Sequence, residues 1–194
     1  MRVIAGEYRG RRIVAPKGRG VRPTLDRVRE AIADALAAHL PGARVLDLFA
    51  GSGAFGIEAL SRGAVHATFC DLSARSCDAI RENLARLRIP ASAARVMQAP
   101  ARAAIERLGR ESARFEVAFV DPPYEAMLYD ETLLALSIAG LVSPGGIVVV
   151  EHSRRIALSP VYGTLHAGRV ARYGDTCVTF YSRAEGARSR TEDP

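Results

Sequence analysis

Asp121-Pro122-Pro123-Tyr124 is the stretch of this 194-residue sequence whose residue types most directly suggest chemistry. Two successive prolines fix φ and remove two backbone donors, so the local carbonyls are left free as acceptors. Asp121 adds a carboxylate, and Tyr124 offers a flat face with a polar tip. The set suits a planar group bearing an NH₂. An exocyclic amine on a nucleobase is a poor nucleophile because its lone pair is delocalised into the ring. Hydrogen bonds from its two N–H groups to the Asp121 carboxylate and the Pro122 carbonyl would draw that lone pair out of the plane. Stacking of an extruded base on Tyr124 would add about 1–3 kcal/mol of binding. The plainer alternative is a loop stop with a capping aspartate.

A second stretch, Val45 to Gly56, reads V-L-D-L-F-A-G-S-G-A-F-G. Gly51, Gly53 and Gly56 satisfy G-x-G-x-x-G, and Asp71 follows Gly51 by 20 residues. Taken literally this is a dinucleotide fingerprint, and at its plainest a tight strand-to-helix turn. Asp47 separates the readings. A pyrophosphate beside that carboxylate would be repelled, whereas a ligand with a cationic end would be attracted. S-adenosylmethionine has such an end, carries no phosphate, and has ribose hydroxyls that Asp71 could accept. Its sulfonium is already an activated electrophile, so no metal is expected.

The elements that must position these residues follow from periodicity. Apolar runs at 44–49, 65–70, 93–98, 116–120 and 146–150 alternate with helical stretches near 55–62, 74–88, 101–109 and 130–139. That alternation predicts a mainly parallel sheet covered by helices on both faces. Runs at 168–172 and 176–182 around Gly174-Asp175 predict an antiparallel hairpin at the sheet edge. Upstream, runs at 2–5 and 11–15 around Gly6 to Gly10 read as a small hairpin, 16–23 as a loop, and Thr24 as the N-cap of a helix. The expected organisation is a basic extension at 1–23, one domain at 24–183 and a polar, disordered tail at 184–194.

Composition narrows the classes. Hydrophobic residues at 48% and charged residues at 25% fit a soluble domain with a real core. No apolar run approaches the roughly 18 residues of a membrane span, and no signal-peptide pattern opens the chain. Three cysteines without a C-x-x-C pair argue against a disulfide framework or a zinc site, so a cytoplasmic location is expected. The formal charge of +6 is concentrated: residues 1–30 hold nine basic groups against three acidic ones, and the remainder is neutral. A polyanion is the natural partner of such an extension. His152 beside Glu151 reads as structural, Cys70 and Cys77 as small apolar residues, and Asn83 as a helix residue satisfying a local backbone group, with no functional role.

These motifs resemble a known family. The D-x-F-x-G-S-G loop at 47–53 with D-P-P-Y at 121–124 is similar to Rossmann-like class I methyltransferases acting on exocyclic amines. The blocks at 2–11, 22–30, 46–63 and 173–176 resemble the bacterial RsmD family more specifically. The resemblance implies an α/β fold with a mainly parallel seven-stranded sheet. It also implies methylation of the 2-amino group of a guanine in 16S rRNA, within the small ribosomal subunit or a late assembly intermediate. Cofactor contacts are expected from Asp47, Phe49, Gly51, Ser52, Gly53, Asp71 and Leu72. Where such enzymes place an Asp or Asn near adenine, this chain has Gln98-Ala99-Pro100, so Gln98 or a backbone amide at Ala99 is expected there. Base capture falls to Asp121, Pro122, Pro123 and Tyr124, and RNA docking to Arg9, Arg11, Arg12, Arg22, Thr24, Arg27 and Arg29. A monomer is expected. Three rivals remain: a DNA adenine-amine methyltransferase, an NAD-dependent oxidoreductase, and a non-catalytic RNA-binding module. No separate target-recognition domain is evident for the first, Asp47 and the lack of a substrate domain oppose the second, and an intact D-P-P-Y opposes the third.

Overall fold

The computed structural model describes residues 1–15, 23–123 and 127–184. Five parallel strands form its centre: β1 (Arg44–Leu48), β2 (His66–Asp71), β3 (Ala94–Gln98), β4 (Phe115–Val120) and β5 (Val142–Ser153). Antiparallel β8 (Thr176–Arg183), β7 (Leu165–Tyr173) and β6 (Val161–Tyr162) extend the sheet beyond β5. The order is β3-β2-β1-β4-β5-β8-β7-β6, which makes eight strands where seven were expected. The additional strand is β6, whose two residues are too few to show an alternating pattern in the sequence.

Helices α1 (Pro23–Ala35), α2 (Ala54–Ser61) and α3 (Ala74–Leu87) cover one face, while α4 (Ala101–Arg110) and α5 (Tyr129–Ile138) cover the other. The central strands are buried on both sides. On β1, Val45 joins the first core with Phe69, Val117 and Ile80, and Leu46 and Leu48 join the second with Ile105, Leu133 and Val148. Near-continuous apolar runs are the sequence consequence of that double coverage. Pro23 opens α1, so Thr24 lies in its first turn rather than capping it. Proline tolerates this position because the first helical N–H groups have no intrahelical acceptor.

The amino-terminal segment is part of the core. Val3 and Ile13 are buried with Ile32, Leu36 and Leu60. Its two limbs pair antiparallel around the Arg2–Arg12 bridge, with Val3 N–H donating to the Arg11 carbonyl (3.0 Å), Gly10 N–H to the Val3 carbonyl (2.9 Å) and Ile13 N–H to the Met1 carbonyl (3.0 Å). The segment is also fastened to α2 and α3. Glu58, fully buried in α2, accepts from the backbone N–H groups of Ile4 (2.8 Å) and Ala5 (3.0 Å). Gly6 lies so close to the end of α2 that an added Cβ would sit 1.7 Å from the Ser61 carbonyl oxygen.

Candidate active site

The strand order reverses between β1 and β4, and the carboxyl ends of the strands there form the crevice that open α/β sheets use for ligands. A cleft of about 330 Å³ opens at this edge, within the size range of small-molecule sites. Phe49, Leu72, Ala99 and Pro100 give it apolar walls, and Asp71, Asp121 and Pro123 contribute from the ends of β2 and β4. Arg102 and Glu131 stand on its α4–α5 side, paired with each other at 3.2 Å.

The glycine loop is held from below. Asp47 is 1% exposed, and its Oδ2 accepts from the Gly56 N–H at 2.9 Å, tying the last residue layer of β1 to the first turn of α2. Burial raises the Asp47 carboxyl well above the usual carboxylate range, and the neighbouring Asp121 and Asp71 charges push the same way. Gly56 is dictated by packing, since a Cβ there would lie 2.3 Å from the Phe69 ring. Phe49 takes φ 60, a left-handed conformation uncommon for a bulky side chain and often found where a site is held in place.

Asp71 accepts from Gly51 N–H at 2.8 Å through one oxygen and from Ser73 N–H at 2.8 Å through the other. A carboxylate has about four acceptor positions, so two backbone bonds still leave capacity for a vicinal pair of hydroxyls. Gln98 pairs with Asp71 across β2 and β3, yet its side chain is exposed and does not line the cleft. Ala99 and Ala101 line it instead; the Ala99 N–H is already donated to the Asp71 carbonyl at 3.1 Å. The opening turn of α4, whose first N–H groups have no intrahelical partner, lines the cleft where Gln98 does not.

At the end of β4, Asp121 and Pro123 face the cleft, while Pro122 is buried behind them. Tyr124 lies outside the described residues. Register pairs Val120 with Val150, so Glu151, the next residue on β5, lies alongside Asp121. Glu151 is 6% exposed, and its Oε1 has no hydrogen-bond partner among the described residues. Burial first, and the Asp121 charge second, push its carboxyl up to about 8. Burial also pushes the Cys70 thiol at the cleft floor up to about 12, which removes it as a nucleophile at neutral pH. His152 bonds the Thr179 hydroxyl at 2.8 Å inside the sheet edge, as a structural histidine would.

Arg9, Arg11 and Arg12 are exposed near the ends of α2 and α3, and Arg27 is exposed on α1. Arg29 is a correction: it is 7% exposed, and its guanidinium donates to the Arg2 carbonyl at 2.8 Å, so it joins α1 to the amino-terminal segment and is not a surface cation. Arg22 and the side chain of Thr24 lie outside the described residues. Glu58 and Glu151 were missed by sequence reasoning, and Asn83, read as satisfying a local backbone group, instead satisfies groups distant in sequence. Asn83, fully buried, donates to the carbonyls of Val14 (2.9 Å) and Ser52 (3.0 Å) and accepts from Val14 N–H (2.8 Å). A charged residue inside the apolar helix AFGIEALS was a visible signal for Glu58.

Over residues 1–182 the chain matches the family described as Conserved hypothetical protein 95. The chain belongs to that family. It is 36% identical over 185 residues to Ribosomal RNA small subunit methyltransferase D of Escherichia coli K12, covering 94% of this chain and 90% of the relative. The namesake from Haemophilus influenzae is 32% identical over 151 residues, 78% of each chain. Among solved structures, yhhF from Escherichia coli superposes with a TM-score of 0.82 at 34% identity, covering 95% and 98% of the two chains. The resemblance to the RsmD family, and with it the Rossmann-like methyltransferase fold, is therefore borne out.

Proposed function

We propose that this chain is a methyltransferase that uses S-adenosylmethionine to methylate the 2-amino group of a guanine in 16S ribosomal RNA. The observation that carries the chemistry is the acidic, apolar-walled cleft at the β1–β4 switch point, where Asp121 and Pro123 meet Phe49 and Asp71. Burial and the neighbouring Asp121 and Asp71 charges raise the cost of ionising Asp47 there, so a cationic ligand relieves a repulsion at that carboxyl. The relatives' names supply the substrate class.

The residues fit S-adenosylmethionine. Asp71 would hold the ribose hydroxyls, Phe49, Leu72, Ala99 and Pro100 would enclose the adenine, and the Gly51–Gly53 loop over Asp47 would receive the methionine end. When bound, that group supplies a methyl carbon activated by its sulfonium. The Asp121 carboxylate and the Pro122 carbonyl accept the two N–H bonds of the amine and turn its lone pair out of the ring plane. Holding the amine in line is worth roughly 7–11 kcal/mol in well-aligned systems. Tyr124 would stack on the extruded base. The substrate is read as the assembled small subunit or a late assembly intermediate, which places the enzyme in the cytoplasm. No helix among the described residues is long and apolar enough to cross a membrane.

Asp121→Ala tests the mechanism. Affinity for S-adenosylmethionine, measured by calorimetry, should stay within a few-fold. Turnover should fall by at least about 10²-fold, the size of loss seen when one preorganised hydrogen-bonding group is removed. Unchanged turnover would contradict the assignment.

A further inference from the structure

The amino-terminal segment docks at the end of the sheet opposite the cleft. Helices α2 and α3 leave the carboxyl ends of β1 and β2 and run back, so Ser61 and Leu87 close them at the amino end of the sheet. Glu7 donates its N–H to the Ser61 carbonyl at 2.8 Å, and Arg11 donates from Nη1 to the Leu87 carbonyl at 3.1 Å. The 14 residues of α3 separate this place from the catalytic edge, about 21 Å at 1.5 Å per residue.

A shallow concavity here is lined by Arg11, Arg12, Arg86, Leu87 and Arg88. All four arginines are exposed. Arg86 shares its charge with Glu82 at 2.7 Å, a solvent-exposed pair that competes weakly with a stronger anion. Arg88 adds an independent observation: it ends α3 with φ 59, a left-handed cap position where glycine is the usual residue. The chain keeps an arginine there against its backbone preference. Guanidinium forks match phosphate oxygens, and an open row of them suits a phosphodiester chain better than a single small anion.

We propose that Arg11, Arg12, Arg86 and Arg88 form a second docking point for the RNA backbone, distant from the base-capturing cleft. It rests on the reading of RNA as the substrate. The RNA then spans the α2–α3 side of the molecule, with the target guanine at one end of the contact and a phosphate stretch at the other. The docking residues on α3 lie outside the basic amino-terminal segment and carry no part in cofactor or base capture.

The test measures binding of two naked RNAs across a salt series, with the wild type and an Arg86→Ala/Arg88→Gly double variant. One RNA is a hairpin of roughly four base pairs, shorter than the span at roughly 3 Å per pair; the other carries an arm of roughly twelve. Arg88→Gly relieves the backbone at that position, so a folding defect is not the expected result, and a melting curve checks it. The wild type should bind the longer RNA more tightly and with a steeper log–log salt slope. The double variant should lose about 1.5–2 units of that slope, with binding of the short RNA and of S-adenosylmethionine unchanged. Equal wild-type binding of both RNAs, an unchanged slope in the variant, or an equal loss on both RNAs would each overturn the proposal. So would a variant defect seen only on ribosomal particles, which would make the partner a protein. Guanine methylation that persists beside an unchanged slope removes only this docking point; a groove effect with no methyl transfer removes only the catalytic reading.

Discussion

Glu151 shows at the scale of one residue how the site is held at some expense to stability. Its carboxyl is neutral in the folded chain up to about 8, because burial and Asp121 oppose its charge. In the unfolded chain it ionises near 4.5, its ordinary value. Between those two pH values the folded state binds more protons than the unfolded state, so this group makes stability fall as pH rises from about 4.5 to about 8 and then level off. Glu151→Gln keeps the shape and removes the titration. Melting temperature measured across that window should therefore be higher for the variant near pH 8 and equal to wild type near pH 4. Parallel curves would show that Glu151 is ionised in the folded protein. Nothing in the sequence marked Glu151, because its environment is made by the neighbouring strand. Asp47, Asp71 and Asp121 were legible as residues at the carboxyl ends of β1, β2 and β4, beside the point where the strand order reverses. Gln98 was legible only as a type; its exposed side chain follows from the alternation of β3, which buries Met97 instead.

Helix α2 and the segments packed against it govern the shape of the glycine loop at the scale of elements. Gly56→Ala would drive a methyl into the Phe69 ring, with only 2.3 Å available. Overpacking of this kind typically costs about 1–3 kcal/mol, and here it also displaces the N–H that Asp47 accepts. Reduced stability together with weaker S-adenosylmethionine binding is expected; a loss of stability alone would separate the loop from the ligand. Asn83→Ala tests the same link from the other side, since that amide joins Val14 to Ser52. Leaving those buried groups unpaired should destabilise by about 1–3 kcal/mol, read by denaturant titration. Element positions were mostly legible: the five parallel strands and the edge hairpin fall within a few residues of their apolar runs. The amino-terminal segment was legible as basic but not as core. Val3 and Ile13 belong to the short apolar runs at 2–5 and 11–15, and only their contact with Ile32, Leu36 and Leu60 shows those runs to be core.

Over the whole molecule, charge and catalysis are separated along the sheet. The carboxyl edge carries the acidic cleft, and the amino edge carries exposed arginines from the first residues and from α3. A substrate that used both would be a long polyanion bearing a planar amine, as structured RNA is. Association should then weaken steeply with salt, while S-adenosylmethionine binding, made in the cleft, should change little. Binding measurements over a range of ionic strength check this, and a similar salt dependence for both ligands would speak against the separation. The central claim is most directly tested by transfer of labelled methyl from S-adenosylmethionine to small ribosomal subunits, free ribosomal RNA and DNA, followed by digestion to nucleosides. The label is predicted in 2-methylguanosine from ribosomal RNA, and it should vanish with Asp121→Ala. Label in DNA methyladenine, or no label in any nucleic acid while S-adenosylmethionine still binds, would contradict it.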